Sequence, residues 1–411
     1  MTFTRERTWR APGRLREVRG DMLLPRRAAM NTRRTFLGRS IARAGTTFIG
    51  PTTARAKPAS TAPPPAAEPD PALVGPFLVR NRERHPGSPY SNHLSMGLLS
   101  LAALGGSKEQ IRAKGESELK GIWPFPTGGP TVTRTNWQEH LGNADALPGL
   151  RAMFEQEIAA RGMADMLRLY LPTLLPGLSA AAFHPLIRTG YGVRFGDTAE
   201  VAMGLAYWAI TFWPLGPLIL TSDERDPTVA LAAFRRVGPL TPEGRRAAGI
   251  DRPRLNIVKG MRWASTLPGF AAASSLRIGD GSLDRIARAA VRLHVASGDN
   301  FTALHGVTGT HAYRMIEPFV ADKGIGRRYL WQALVAAYVY IDAPDIGAPA
   351  AIGKLPNWNQ VLAEAAASDD DHKLKLTDIA REECRHYDDP TYLQAAALHL
   401  RRCAPPGTSG C

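Results

Sequence analysis

Cysteine is scarce: three in 411 residues, Cys384, Cys403 and Cys411, all near the C-terminus and none in a C-x-x-C pair. A disulfide framework and a thiolate zinc site are therefore excluded, and only a small Cys403–Cys411 loop closure stays open. Strict apolar–polar alternation, the mark of half-buried strands, is almost missing. No apolar run approaches the ~20 residues of a membrane span. No G-x-G-x-x-G opens a βαβ unit, and Gly190-x-Gly192-x-x-x-Gly196 has the wrong spacing and follows a helical stretch. Neither a flavin nor a nicotinamide Rossmann domain is expected. A G-x-S-x-G elbow and a P-loop are also missing. The charge of +14 is not spread over the chain: residues 1–57 hold 14 basic and 3 acidic residues, leaving 37 and 34 for the rest. A nearly neutral body lacks the footprint of a nucleic-acid binder.

What is there begins with a basic leader. Thr32-Arg33-Arg34-Thr35-Phe36-Leu37 resembles a twin-arginine export signal, with Thr53-Ala54-Arg55-Ala56 offering a cleavage site. Residues 1–56 are expected to be a disordered leader whose true start is Met30. It would be read by the twin-arginine machinery and would deliver the protein to the periplasm or beyond, with no stable membrane anchor. Residues 57–75, KPASTAPPPAAEPDPALVG, form a Pro/Ala-rich linker without packing capacity.

From 76 to 411 the apolar spacing is helical, and one all-α multi-helix domain is expected. Residues 171–213 organise it: two apolar helices joined by a turn, with Ala180, Ala181 and Ala182 building the first and Asp197 or Thr198 capping the second. Other helices are expected over 92–106, 107–121, 147–170, 283–297, 300–320, 329–341, 358–367, 370–384 and 390–402, with 221–255 irregular. The helix after Ser107 carries mixed charges and reads as an exposed face.

Five histidines sit in or beside these apolar runs: His93, His184, His305, His311 and His372. Neutral imidazole is the commonest ligand for iron, zinc and copper, and helical domains build such sites from inward-facing side chains. His305 and Thr308 share a face. His305 and His311, six apart, are about 240° apart on an ideal helix and reach one site only if Gly306 and Gly309 let it bend. His372 and Lys375 share a face, with Lys373 pointing away. A desolvated lysine loses its proton more easily and can take up CO₂ as a carbamate, an anionic oxygen ligand. His85, His140, His294, His386 and His399 read as loop or surface residues. Phe183, Tyr207, Trp208 and Trp213 either line a flat apolar pocket or pack in the core.

Four blocks together resemble the questin oxidase-like family: NHLSMGLLSLAALGGS with His93, LLPGLSAAAFHPLIRTGYG…EVAMGLAYWA with His184, FTALHGVTGTHAYR with His305 and His311, and HKLKLTDIAREECRHYDDPTYLQAAA with His372 and Lys375. The resemblance implies an oxidoreductase that oxygenates or cleaves an aromatic, quinone-type polyketide with O₂, of Baeyer–Villiger type, with NADPH as a potential reductant. It implies a non-haem iron held by the five histidines and Lys375, with Lys375, Arg188 and Thr308 as catalytic candidates. Two alternatives stand beside it: an exported, non-catalytic helical protein that binds a small molecule, and a metal-free, NADPH-dependent Baeyer–Villiger oxidase.

Overall fold

The computed structural model describes residues 62–87, 91–235, 241–250, 255–347 and 355–401. The leader with Arg33 and Arg34, and Cys403 and Cys411, lie outside the described residues. All described residues belong to one compact unit, Ala59–Cys411. Among them are sixteen α-helices and no strand: α1 Pro71–Asn81, α2 Leu94–Ala103, α3 Lys108–Gly121, α4 Leu147–Leu174, α5 His184–Phe195, α6 Thr198–Ile210, α7 Pro227–Phe234, α8 Pro242–Ala247, α9 Ile257–Ser265, α10 Phe270–Ala273, α11 Ser282–Ala296, α12 Phe301–Ile316, α13 Lys323–Tyr340, α14 Trp358–Ala366, α15 Asp371–Tyr387 and α16 Thr391–Leu400. The all-α expectation holds. The stretch over 221–255, expected to be irregular, carries the two short helices α7 and α8.

The organising pair is α5 and α6. Asp197 caps α6, its carboxylate accepting from the amides of Ala199 and Glu200, and Gly196 closes α5 in the left-handed conformation. α5 packs on α6 and on α12, α4 covers α6, and α15 packs on α2 and α16. The approach of α5 to α12 is close because Gly190 has no side chain: a Cβ there would stand 2.7 Å from Ala312 Cα. That close approach brings the start of α5 against the start of α12.

Two expectations need correction. Packing starts well before residue 76: the Ala67 amide donates to Ala103 O at 3.0 Å, Arg385 Nη1 donates to Pro63 O at 3.2 Å, and Val74 of α1 is buried. The Pro/Ala composition hid this because prolines that cannot donate still accept, and a single Val–Phe–Leu face is enough to dock a helix. Nor do Ala180–Ala182 build an α-helix. Ala181, Ala182 and Phe183 have φ of 42°, 57° and 67°, three consecutive left-handed residues with side chains. Each costs about 1–2 kcal/mol in that conformation, so alanine's helix propensity is overridden by tertiary packing. The turn ends at His184, the first residue of α5.

Candidate metal centre

That turn aims an imidazole. His184 Nδ1 lies 2.6 Å from Ala181 O, and His305, in the first turn and a half of α12, has Nδ1 2.7 Å from Phe301 O. A carbonyl oxygen only accepts, so both Nδ1 atoms carry the hydrogen and both Nε2 atoms carry a lone pair. The two Nε2 atoms face each other at 3.2 Å. With neutral rings, no proton lies between them. A cation is what two opposed lone pairs in a buried site call for.

Two further rings complete a circuit. His93, just ahead of α2, stacks on His184 with centroids 5.1 Å apart and planes 9° from parallel. His372, at the start of α15, is 4.7 Å from His93 and 5.5 Å from His305, and His184 is 4.6 Å from His305. Nε2 of His93 and Nε2 of His372 are buried without a hydrogen-bond partner among the described residues. On the outside of the circuit, His93 Nδ1 is 3.8 Å from Asp371 Oδ2 and His372 Nδ1 is 3.4 Å from Asp370 Oδ1. A carboxylate beyond each ring favours the Nδ1–H tautomer, which leaves Nε2 for a metal. Phe301 packs edge-on against His305 and His372 and forms an apolar wall.

The rings are neutral at ordinary pH. Burial, then the Lys375 ammonium, pushes His184 down to about 3 and His372 to about 4, and burial holds His93 and His305 well below the usual imidazole range. Lys375, one turn beyond His372, is buried and makes no hydrogen bond or ion pair with a described residue; burial lowers its pKa to about 8. Neighbouring Lys373 points away, to Leu400 O at 3.1 Å. In the metal-free protein the four imidazoles take up protons in the unfolded chain near pH 6.5 but in the folded chain only well below it, His184 at about 3 and His372 at about 4. Stability is therefore expected to be level above pH 6.5 and to fall as pH drops from 6.5 towards 4, by ~1 kcal/mol or more per pH unit. Urea titrations of the chelated protein across that window measure it, and a flat profile would contradict the neutral cluster.

The remaining candidates lie elsewhere. α12 runs unbroken through Gly306 and Gly309, so His311 stays on a different side of the helix from His305. His311 Nδ1 is 2.6 Å from Glu383 Oε1 instead. His311, Glu382 and Glu383 bring one ligand atom each within 4.8 Å of one another. Arg314 binds both carboxylates, Arg194 binds Glu382 and Asp378, and Arg381 binds Asp378. Three guanidinium groups already balance three carboxylates, which suits an ion-pair network better than a divalent cation. Arg188 makes a buried two-bond pair with Glu200, at 2.7 and 2.9 Å. Thr308 turns its hydroxyl back to Leu304 O and His305 O. His294 and His399, expected at the surface, are buried and converge on Asp299 Oδ1 at 3.2 and 2.7 Å. Trp208 donates to Gly177 O in the core, Phe183 is buried against Gly309 of α12, and exposed Trp213 stacks under Arg262. Sequence reasoning passed over Asp370, Asp371 and Phe301. The Asp369-Asp370-Asp371 run ahead of His372 was the available signal for the first two.

Residues 90–259 match the family model described as questin oxidase-like. Over that stretch the chain is similar to the questin oxidase-like family. Among its relatives are a questin oxidase of Aspergillus terreus, 23% identical over 326 residues that cover 69% of this chain and 73% of the relative. A Baeyer–Villiger oxidase of Pestalotiopsis microspora is 28% identical over 131 residues, covering 28% of each chain. A Baeyer–Villiger oxidase of Paecilomyces divaricatus is 28% identical over 130 residues, covering 28% of this chain and 27% of the relative. The two Baeyer–Villiger matches thus span little more than a quarter of those relatives' lengths. The family match over 90–259 contains His93 and His184, while His305, His372 and Lys375 lie beyond it.

Proposed function

We propose that this questin oxidase-like protein is an exported oxidoreductase that oxygenates or cleaves an aromatic, quinone-type polyketide with O₂ at a non-haem iron. The observation that carries the metal is the 3.2 Å approach of two Nε2 lone pairs between rings whose Nδ1 hydrogens are committed to carbonyls. His93, His184, His305 and His372 would hold the ion through Nε2. Nitrogen donors of this kind suit iron, copper or zinc, and the relatives' names, questin oxidase and Baeyer–Villiger oxidase, favour the redox-active choice. Bound iron supplies the redox and Lewis-acid chemistry that reaction with O₂ requires.

The chain's own residues prepare that site. Four neutral imidazoles bring no charge of their own, and Lys375 is placed to supply it. With a pKa of about 8, about a tenth of its amine is unprotonated at pH 7. The free amine can add to CO₂, forming an N–C bond and releasing one proton, and the carbamate oxygen would then serve as an anionic ligand. Phe301 excludes water from one side of the cluster. The twin-arginine motif around Arg33 and Arg34 supports export, which separates the protein from NADPH and leaves the substrate as the electron source.

The test is metal analysis of the purified protein together with oxygen uptake on a hydroxylated anthraquinone, with and without NADPH and chelator. About one iron per chain, uptake abolished by chelator and indifferent to NADPH, and a loss of more than ~100-fold in His184→Ala are expected. Full NADPH-dependent turnover by metal-free protein would establish the metal-free oxidase instead. Metal-free protein that binds the anthraquinone without turning it over would establish the binding protein.

A further inference from the structure

α3 has the sequence of an exposed helix, yet Lys114 in its middle is buried. Its Nζ donates to Asp369 O at 3.0 Å and forms ion pairs with Asp371 Oδ1 at 2.8 Å and with Glu118. The other oxygen of Asp371, Oδ2, is the one that faces His93 Nδ1. Lys114, Asp371 and His93 therefore form one line from α3 through the first residue of α15 to the histidine ahead of α2. Room for it is made by Gly97: any Cβ there would collide with Asp371 Oδ1 and stand 3.1 Å from Lys114 Cε.

We propose that Lys114 is a positioning residue for the histidine cluster: by clamping Asp371 it fixes the tautomer and direction of the His93 ring. The proposal rests on the metal-site reading above. A buried lysine is costly unless paired, and here burial works against the charge while Asp371 and Glu118 more than offset it, so the ammonium persists. An ammonium on one oxygen of Asp371 holds that carboxylate in place against the His93 ring. A carboxylate oxygen facing Nδ1 favours the ring hydrogen there and the lone pair on Nε2, the atom with no partner among the described residues. Without the lysine, Asp371 would be released towards solvent and the ring could turn.

The test compares wild type, Lys114→Met and Lys114→Arg in the full chain, with two readouts. The first is Co(II) titration, read by affinity and by the visible spectrum of the bound ion. Lys114→Met is expected to bind 10–100-fold more weakly with an altered spectrum, and Lys114→Arg to recover most of the affinity. The second is ¹⁵N-histidine NMR of metal-free protein. Wild-type His93 is expected as the Nδ1–H tautomer, and Lys114→Met as a mixture. Equal affinity, spectrum and tautomer in wild type and Lys114→Met would overturn the proposal and leave Lys114 a structural ion pair. If wild type takes up no Co(II), the metal reading falls, and the tautomer alone then decides Lys114. Lys114→Gln replaces Lys114→Met in both readouts if the latter does not fold.

Discussion

Adding Fe(II) anaerobically to the metal-free protein, at a hundred to a thousand times its dissociation constant, is expected to stabilise the fold by about 3–4 kcal/mol. His305→Ala is expected to abolish that gain. The argument runs from the opposed Nε2 atoms of His184 and His305. In the metal-free chain each ring spends its one hydrogen on a carbonyl, so each lone pair is buried against another. An ion held by these residues would satisfy both lone pairs, and the unpartnered Nε2 atoms of His93 and His372 would be available to it. Removing His305 leaves three rings and no opposed pair. Denaturant unfolding with and without Fe(II) measures the gain, and His311→Ala is the control, expected to keep the full increment. A gain that survives in His305→Ala but vanishes in His311→Ala would move the ion to Glu382 and Glu383, and the oxygenase reading would lose its centre.

Glu200→Ala is expected to cost about 3–5 kcal/mol, the most damaging single change outside the cluster. It strips the partner from Arg188, which is buried and bonded to Glu200 by two hydrogen bonds. The double variant Arg188→Met with Glu200→Leu removes both charges and is expected to recover most of the loss, because well-packed apolar residues replace a buried pair at little cost. The same double variant settles the role of Arg188. Arg188 stands one turn beyond His184 on the same helix. If its work is to anchor α5 to α6, the double variant keeps oxygen uptake within a few-fold of wild type. A loss of more than ~100-fold in a folded, iron-loaded double variant would show that the guanidinium acts on the substrate.

The helices and the four histidines that come together were legible because each imidazole interrupts an apolar face, where a polar ring is conspicuous. His311 shares that feature, and spacing alone did not separate it from His305; the regularity of α12 did, by turning the two about 240° apart. Lys114 was illegible for the opposite reason. A lysine among glutamates reads as solvated, and only the arrival of α15, more than 250 residues later, buries it. The turn over Ala181–Phe183 was misread because local preference favours helix there, while the three-dimensional position of His184 demands a left-handed backbone. His294 and His399 were read as loop or surface residues, yet they meet on Asp299 from α11 and α16. In each case the residue type was visible in the sequence, and what was missing was which distant element would cover it.

The four imidazoles come from positions 93, 184, 305 and 372, so the centre is assembled in instalments along almost the whole chain. A product ending at residue 259 keeps two of the rings and loses the helix start that brings Asp370, Asp371, His372 and Lys375 together. Loading with the proposed iron would therefore wait until synthesis is nearly finished, and a C-terminally truncated chain, however well its first helices fold, is expected to leave the ribosome without the donor set for it.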